Sequence, residues 1–325
     1  MRAALCKEWC EPDDLVIEDV APPAPGPGEV RIAVHAAGAN FADTLYIAGK
    51  YQVRPPRPFT PGGEAAGEVI EVGAGVTRIR PGDRVAACRP WGAFAEEMVA
   101  PEDTVFPLPD GVDYVTAAAV PVVYGTDIHA LADRARLAEG ETLLVHGAAG
   151  GIGLAAVDLG RRMGARVIGT VGSDDKADVV REYGAAHVIN YRGESIRERV
   201  KALTDGRGAD VILDPVGGDA FDQSMRCINW GGRLLVVGFA SGRIPELAVN
   251  RALLKGCAVI GVNWPEYVRR NPRRFQDQMA AVLGWCASGE LRPRIDRTLP
   301  LEGTGEALKA LMARGVSGKI VITPR

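Results

Sequence analysis

The sequence predicts an α/β fold with two parts, a doubly wound parallel sheet and a second domain made mainly of β-strands. From residue 142 to residue 264, short apolar segments alternate with helix-like segments, which is typical of parallel strands buried on both faces. One strand and one helix of that region are joined by a glycine-rich turn. The first third of the chain has several short segments separated by glycine and proline, as in a small barrel or sandwich.

The N-terminal third is predicted to be rich in strands. VRIAVHAAGAN alternates well enough for a strand, and FADTLYIAGKY favours a short helix. GEAAGEVIEVGAG, PGDRVAACRP and GAFAEEMVA are predicted strands. From about Asp113 the pattern becomes helical, with a break near Pro121.

The middle of the chain changes regularly from strand to helix. The predicted strands are TLLVHG, ARVIGTVG, HVINY, ADVILDPVGG, GRLLVVGFA and CAVIGVNW. The predicted helices are GIGLAAVDLGRRMG, DDKADVVREYGA, SIRERVKALTDG and AFDQSMRCIN. The last part should hold helices and a terminal strand, KIVITPR, and return to the first domain. We therefore expect one domain from residues 1–121 with 264–325, and another from residues 122–263.

Composition excludes several classes of protein. The 325 residues carry a net charge of −3 without a Lys/Arg run, so no nucleic-acid partner is expected. No run approaches the length of a membrane span, and the N-terminus has no apolar signal segment, so a cytoplasmic location is the expectation. The six cysteines form no CxxC pair and the four histidines no HxxxH or HExxH pattern, which favours reduced thiols and structural histidines over a metal site.

The glycine-rich turn indicates a dinucleotide site. TLLVHG runs into Ala148-x-Gly150-x-x-Gly153 and then directly into a helix. Glycines allow a tight turn and a close approach to a pyrophosphate at the positive helix N-terminus, and Gly153 allows the helix to pack closely on the strand. A glycine-rich turn without a ligand is the alternative, but the flanking strand, helix and βαβ units favour the cofactor.

The next strand end favours NADP over NAD. An NAD site would place an acid about 20 residues after the motif, at the end of the next strand, but this strand ends at Gly169 and Thr170 and the next acid is Asp174. Ser173, Lys176 and Tyr191 offer a hydroxyl, an amine and a phenol to a 2′-phosphate. The alternative is a solvated Lys176 and a packing Tyr191, and the carboxylates of Asp174 and Asp175 also count against a phosphate.

With these motifs in place, the chain resembles the zinc-independent quinone oxidoreductases, the zeta-crystallin-like group of the medium-chain dehydrogenase/reductase superfamily. The resemblance covers nearly all of the chain. It is carried by GANFADTLYIAGKY, PGGEAAGEV, YGTDIHAL, HGAAGGIGLAAVDLG, TVGSDDKA and VINY. It implies a Rossmann domain at residues 122–263 and a mainly β, GroES-like catalytic domain formed by the rest.

The resemblance also implies that the protein holds no metal. Where zinc-dependent members carry ligands, this chain has Asn40, Gly63 and Val122. None of these side chains is a thiolate or imidazole, so a tetrahedral catalytic zinc would lack its ligands. The lobe that binds structural zinc through four cysteines is missing as well, since Cys88 stands alone there.

The resemblance further implies which residues contact cofactor and substrate. Asn40 and Thr126 are expected near the nicotinamide, and Tyr51 on the substrate side. The other expected cofactor contacts are Gly150, Gly151, Ile152 and Gly153 at the pyrophosphate, Gly238, Phe239 and Asn263 closing over the cofactor, and Lys319 close by. Several relatives have a tyrosine at the position of Leu45, so a second active-site phenol is missing and the preferred acceptor stays open.

The function this predicts is NADPH-dependent reduction of a quinone or similar conjugated carbonyl. Without a metal, a hydrogen-bond donor must polarise the carbonyl, and Tyr51 and the Asn40 amide are the candidates. The alternatives are that Asn40 only satisfies the loop backbone and that Tyr51 only packs.

Two other functions stay open. One is reduction of an enone or an enoyl thioester, for which Arg54 and Arg57 are the only hint of a basic entrance. The other is a non-catalytic, crystallin-like NADPH-binding protein. Whichever function holds, we expect a homodimer joined through CAVIGVNW, because an apolar edge strand is unstable unless paired or covered.

Overall fold

The computed structural model describes residues 1–325, and the chain divides into two compact units. Unit 1 consists of Met1–Val122 and Arg269–Arg325, and unit 2 of Val123–Val268. The boundaries expected from the sequence, after residues 121 and 263, lie close to these. No helix of the chain is long and apolar enough to cross a membrane.

The strands are numbered in chain order. They are β1 (Arg2–Leu5), β2 (Val16–Asp19), β3 (Glu29–Gly38), β4 (Glu64–Val72), β5 (Arg84–Cys88), β6 (Glu97–Pro101), β7 (Val105–Pro107), β8 (Thr142–Val145), β9 (Arg166–Val171), β10 (His187–Asn190), β11 (Ala209–Asp214), β12 (Ile228–Val236), β13 (Ala258–Gly261), β14 (Ile295–Pro300) and β15 (Lys319–Thr323).

The α-helices are numbered in the same way. They are α1 (Phe41–Ile47), α2 (Tyr114–Ala117), α3 (Pro121–Ile128), α4 (Gly151–Arg162), α5 (Asp174–Glu182), α6 (Ile196–Leu203), α7 (Gly218–Cys227), α8 (Asn250–Lys255), α9 (Trp264–Arg270), α10 (Pro272–Ala287) and α11 (Thr304–Met312). A π-helical segment, His129–Ala135, follows α3.

Unit 1 is built on a seven-stranded sheet. The strand order is β14-β15-β3-β4-β5-β7, and β6 pairs with β3 beside this path. The last strand, β15, lies antiparallel to β3, with Val321 opposite Gly38. The chain end therefore completes a sheet that the N-terminal third began. Its core is formed by inward-facing apolar residues of β3, β4, β5 and β15.

Unit 2 is a six-stranded sheet in the order β10-β9-β8-β11-β12-β13, and every pairing in it is parallel. The apolar strands are buried because helices connect them across both faces, as the predicted doubly wound fold requires. Helix α4 packs so closely on the sheet that a Cβ on Gly160 would lie 2.6 Å from Leu143 Cδ2. The fold class expected from the sequence is confirmed.

The structure corrects some boundaries. The predicted helix AFDQSMRCIN was expected to reach Asn229, but α7 ends at Cys227 and β12 begins at Ile228. The predicted strand CAVIGVNW is reduced to the four residues of β13, and Trp264 already begins α9. The β1–β2 pair and the short α8 were not predicted, because four to six residues carry too little periodicity.

Candidate cofactor turn and polar cluster

The glycine turn of unit 2 has the geometry that the sequence predicts. Strand β8 ends at Val145 and α4 begins at Gly151. A Cβ on Gly153 would lie 2.2 Å from the Gly147 carbonyl oxygen, so only glycine fits there. Helix α4 has 12 residues, and no helical turn precedes it. The backbone amides of Gly151, Ile152 and Gly153 therefore have no acceptor within the helix. The turn is therefore suited to an anion such as a pyrophosphate.

The residues expected at a 2′-phosphate lie at the carboxyl ends of β9 and β10. Ser173 is the N-cap of α5, and Lys176 is in the first turn of that helix. Tyr191 follows β10, and its hydroxyl lies against Gly172, where a Cβ would be 2.7 Å from it. The structure thus places the Ser173 hydroxyl, the Lys176 amine and the Tyr191 phenol at the carboxyl edge of the parallel sheet.

Two carboxylates share that edge. Asp174 accepts a hydrogen bond from Asn190 Nδ2 at 2.8 Å. A hydrogen bond from Ser173 lowers the pKa of Asp175, and the nearby charge of Lys176 lowers it further. Lys176 therefore has an acidic neighbour, which weakens the field that it would offer a phosphate.

Four other expected cofactor contacts belong to unit 2. Thr126 is buried in α3. Gly238 and Phe239 follow β12 after one intervening residue, and the Gly238 amide donates to the Asp214 carbonyl oxygen at 3.4 Å. Asn263 follows β13, and its Oδ1 accepts the Glu266 amide at 3.3 Å, at the start of α9. Gly238, Phe239 and Asn263 thus lie at the carboxyl edge of the parallel sheet, where such folds bind ligands.

The polar cluster of unit 1 consists of Lys319, Glu64, Asn40 and Asp43, all less than a tenth exposed. Lys319 begins β15 and Glu64 begins β4. The Lys319 ammonium donates to Glu64 Oε1 at 2.7 Å, to Asn40 Oδ1 at 2.6 Å and to the Ala39 carbonyl oxygen at 2.8 Å. Its three hydrogens are therefore all used within unit 1.

Asn40, a predicted carbonyl-polarising group, has both ends of its amide engaged by the cluster. Its Nδ2 donates to Glu64 Oε1 at 2.8 Å and to the Gly38 carbonyl oxygen at 3.2 Å, while its Oδ1 accepts from Lys319. Its backbone amide donates to Asp43 Oδ2 at 2.8 Å, at the start of α1. This geometry favours the alternative in which the Asn40 side chain only satisfies hydrogen-bonding groups around it.

The three positions that carry zinc ligands in other members of the superfamily lie around Glu64. Asn40 bonds Glu64 Oε1, the Val122 amide donates to Glu64 Oε2 at 2.8 Å, and Gly63 precedes Glu64 in the chain. A Cβ on Gly38 would lie 2.6 Å from Glu64 Oε1, so the close backbone approach there requires glycine. The described chain holds no group of three or more His, Cys, Asp or Glu side chains suited to a metal ion.

Asp43, a member of this cluster, and two tyrosines near it are further titratable groups. Burial raises the pKa of Asp43 to about 7, although the backbone amide of Asn40 and the charge of Lys319 oppose that rise. Tyr51 packs against Tyr46, with ring centroids 4.3 Å apart and ring planes tilted by 35°. Burial, and secondarily the charge of Asp43, raises the pKa of Tyr51 above its usual value. The Tyr51 phenol therefore remains a proton-bearing donor at neutral pH.

Glu64 and Asp43 were not among the site residues that the sequence predicts. Both lie in segments that carried the family resemblance, Glu64 in PGGEAAGEV and Asp43 in GANFADTLY. Each is an acid among mostly small or apolar residues, and that pattern was the available signal, because acids are rarely buried without a partner.

Unit 2 has a glycine turn suited to a dinucleotide on a doubly wound sheet, and unit 1 is mainly β with a buried polar cluster. Together these features define an oxidoreductase of the medium-chain dehydrogenase/reductase class. Two family models match the chain, "Alcohol dehydrogenase GroES-like domain" over residues 26–110 and "Zinc-binding dehydrogenase" over residues 151–284. The second description refers to zinc, but the residues at the ligand positions of this chain are Asn40, Gly63 and Val122.

Similar proteins narrow the class. The chain is 41% identical to the quinone oxidoreductase-like protein 2 homolog of Nematostella vectensis, over 100% of this chain and 89% of that protein. It is 38% identical to a quinone oxidoreductase of Pseudomonas aeruginosa, over 96% of each. The Escherichia coli quinone oxidoreductase complexed with NADPH has 29% identity and a TM-score of 0.93 over 100% of both chains. The chain belongs to the quinone oxidoreductase group of the medium-chain dehydrogenase/reductase superfamily, which confirms the resemblance read from the sequence.

Proposed function

We propose that the protein is an NADPH-dependent oxidoreductase that reduces quinones or similar conjugated carbonyls without a metal ion. The observation that carries this proposal is the buried Lys319–Glu64–Asn40 cluster, because an ammonium and an amide occupy the surroundings of the superfamily's zinc ligands. The glycine turn of unit 2 supports a dinucleotide cofactor. The E. coli relative, whose structure is complexed with NADPH, supports the phosphorylated form.

The chemistry requires a hydride and a proton, and a bound nicotinamide supplies the hydride. Tyr51 is the donor that we assign to the substrate oxygen. Its side chain is partly buried, and its phenol keeps its proton because burial raises its pKa. A donor held in a partly desolvated site stabilises the developing oxyanion more than the neutral carbonyl, which lowers the barrier. Asn40 has no amide hydrogen left for this task.

The test is NADPH oxidation, followed by absorbance, with a panel of quinones, enones and enoyl thioesters. We expect turnover of quinones, no stoichiometric zinc by elemental analysis, and full activity after chelation. Turnover confined to enones or thioesters would favour the second enzyme function. No turnover with any acceptor, together with tight NADPH binding, would favour a non-catalytic binding protein. Stoichiometric zinc with activity lost on chelation would refute the metal-free proposal.

Preference for NADPH over NADH is proposed to depend on Lys176. A hydrogen bond to a charged group is worth about 1.5–3 kcal/mol, or roughly 10–150-fold in affinity, and Asp174 and Asp175 should keep the gain near the lower end. Lys176→Ala should therefore weaken NADPH binding and leave NADH nearly unchanged. The control is Lys309→Ala, on α11 of unit 1. Equal weakening of both cofactors would show that Lys176 does not contact the phosphate.

We further propose a homodimer that pairs two copies of β13, the edge strand of the unit 2 sheet. Next to it, Val249, Leu253 and Leu254 of the α8 region are 76%, 78% and 72% exposed, an apolar surface that a second copy would cover. Light scattering at micromolar concentration should give twice the chain mass, and Leu253→Glu should lower it. A monomer mass for the wild type would count against the dimer. The cytoplasmic location stays a prediction.

A further inference from the structure

Two cysteine thiols near the N-terminus lie in contact. Cys6 directly follows β1 and is fully buried, whereas Cys10 is partly exposed. Their sulfur atoms are 3.7 Å apart, and both thiols are free. A disulfide needs a sulfur–sulfur distance of about 2.05 Å, so a movement of roughly 1.6 Å would join them.

The short loop between these cysteines braces the segment that carries Tyr51. The Cys6 amide donates to the Phe59 carbonyl oxygen at 2.8 Å, after Tyr51 in the chain. The Cys10 amide donates to the Ile47 carbonyl oxygen at 2.9 Å, at the end of α1 and before Tyr51. The loop is thus attached to both ends of residues 47–59.

Side chains of the loop also contact that segment. Trp9 lies so close to Gly49 that a Cβ there would be 2.7 Å from its ring. The Arg57 guanidinium lies 4.4 Å from a Trp9 ring centroid and pairs with Glu8. Any contraction of the Cys6–Cys10 loop must therefore move Trp9 and its contacts, and with them the segment around Tyr51.

We propose that Cys6 and Cys10 are a modification site, at which a two-electron oxidant such as hydrogen peroxide forms a reversible intramolecular disulfide that shifts the Tyr51 segment. Peroxide first oxidises the more accessible Cys10 to a sulfenic acid and is itself reduced to water. The Cys6 sulfur then attacks the Cys10 sulfur, the S–S bond forms as the Cys10 S–O bond breaks, and the hydroxyl leaves with the Cys6 proton as a second water. Two thiols lose two protons and two electrons, and one peroxide takes them up.

The local environment keeps this reaction slow under mild conditions. Burial raises the pKa of Cys6 to about 12 and also raises the pKa of Cys10. Since the thiolate is the reacting species, both thiols stay reduced at low oxidant, and the oxidation rate should rise close to tenfold for each pH unit below the thiol pKa.

The first test is a mass measurement on the purified full chain. Reduced protein is treated with hydrogen peroxide, alkylated after denaturation, and digested. We expect the peptide that carries both cysteines to lose two hydrogen masses and to escape alkylation, and dithiothreitol to reverse this. Both cysteines alkylated, or Cys10 as a sulfinic acid with Cys6 alkylated, would overturn the proposal. In Cys10→Ser no disulfide should form, whereas the matched control Cys286→Ser should behave as wild type. Cys10→Ala replaces the serine variant if that variant fails to fold.

The second test links the bond to activity, and this part rests on the proposed function. Oxidation should lower kcat/KM for the quinone by about threefold or more, since small displacements of a substrate-positioning segment are costly. The Kd for NADPH should change by less than about twofold, and dithiothreitol should restore both values. Unchanged kcat/KM after complete disulfide formation would overturn the link to Tyr51. If the protein reduces no quinone at all, the proposed function fails, and the mass measurement alone still decides whether the disulfide forms.

Discussion

Replacing Lys319 by methionine would test whether its ammonium holds the polar cluster of unit 1 together. Methionine has a similar length and no charge, so Lys319→Met removes the ion pair without opening a large cavity. In the wild type the ammonium lies 2.7 Å from Glu64 Oε1, and Glu64 is fully buried. At pH 8 the variant leaves the Glu64 carboxylate buried without a counter-charge.

The expected cost follows from what Glu64 keeps and what it loses. Removing one partner of a buried ion pair usually costs about 3–5 kcal/mol. Glu64 retains hydrogen bonds from Asn40 Nδ2 and the Val122 amide, both at 2.8 Å, so its carboxylate remains partly solvated by the protein. We therefore expect a loss near the lower limit, about 3 kcal/mol in the free energy of unfolding. Glu64→Gln alone should cost a similar amount, because it leaves the ammonium unpaired.

The decisive measurement is the double variant, Lys319→Met with Glu64→Gln. It removes both charges, so it should be less destabilised than the sum of the single variants by at least about 2 kcal/mol. The assay is urea unfolding at pH 8, followed by circular dichroism and fluorescence to check that both probes report one transition. Lys309→Met, which breaks an exposed pair with Asp13, should change stability by less than about 0.5 kcal/mol. Additive single effects, or a Lys319→Met loss under 1 kcal/mol, would refute the reasoning.

Three further predictions concern the polar cluster, Tyr51 and the glycine turn of unit 2. Because burial raises the folded pKa of Asp43 to about 7, above its usual value near 3.8, its contribution to stability is complete below pH 4 and is lost as the pH rises to 7. The stability difference between wild type and Asp43→Asn should accordingly fall between about pH 4 and 7 and level off above pH 7, and a constant difference would contradict this. Tyr51→Phe should lower kcat more than it raises KM, since the lost hydrogen bond strengthens as the oxyanion develops, and an unchanged kcat would return Tyr51 to a packing role. Gly153→Ala should lower the Tm more than Gly150→Ala. A Cβ at position 153 would lie 2.2 Å from the Gly147 carbonyl oxygen, whereas a Cβ at position 150 would lie 3.4 Å from the same atom. Equal losses in Tm would mean that the turn can adjust.

The sequence predicted unit 2 well because its signals are local. Each strand there is a short apolar run that ends near glycine or a polar residue, and each helix follows with its own period. Helix α4 begins and ends where the glycines suggested, at Gly151 and before Gly164. Strand β14, with the sequence IDRTLP, was missed because three of its six residues, Asp296, Arg297 and Thr298, are polar and adjacent and hide the strand pattern.

The polar cluster could not be derived in this way, because its partners are far apart in the chain. Lys319 and Glu64 are 255 residues apart, and neither GVSGK nor PGGEAAGEV indicates that the other segment lies beside it. Lys319 was expected close to the cofactor, and that role stays a prediction. The structure shows that the Lys319 ammonium donates its hydrogens to Glu64, Asn40 and the Ala39 carbonyl oxygen. Any effect of Lys319 on the cofactor must therefore act through its charge or through Asn40.

The same saturation narrows the choice of catalytic donor. A group that polarises a substrate carbonyl must have a hydrogen available, and in unit 1 the Lys319 ammonium and the Asn40 amide have none left. Glu64 serves as an acceptor for Lys319, Asn40 and the Val122 amide, and it is fully buried. Among the residues that the family resemblance implies in this unit, the Tyr51 phenol is the donor that remains, and its raised pKa keeps the hydrogen in place. The polar cluster then contributes by holding together α1, β4 and β15. Tyr51 lies in the segment that follows α1.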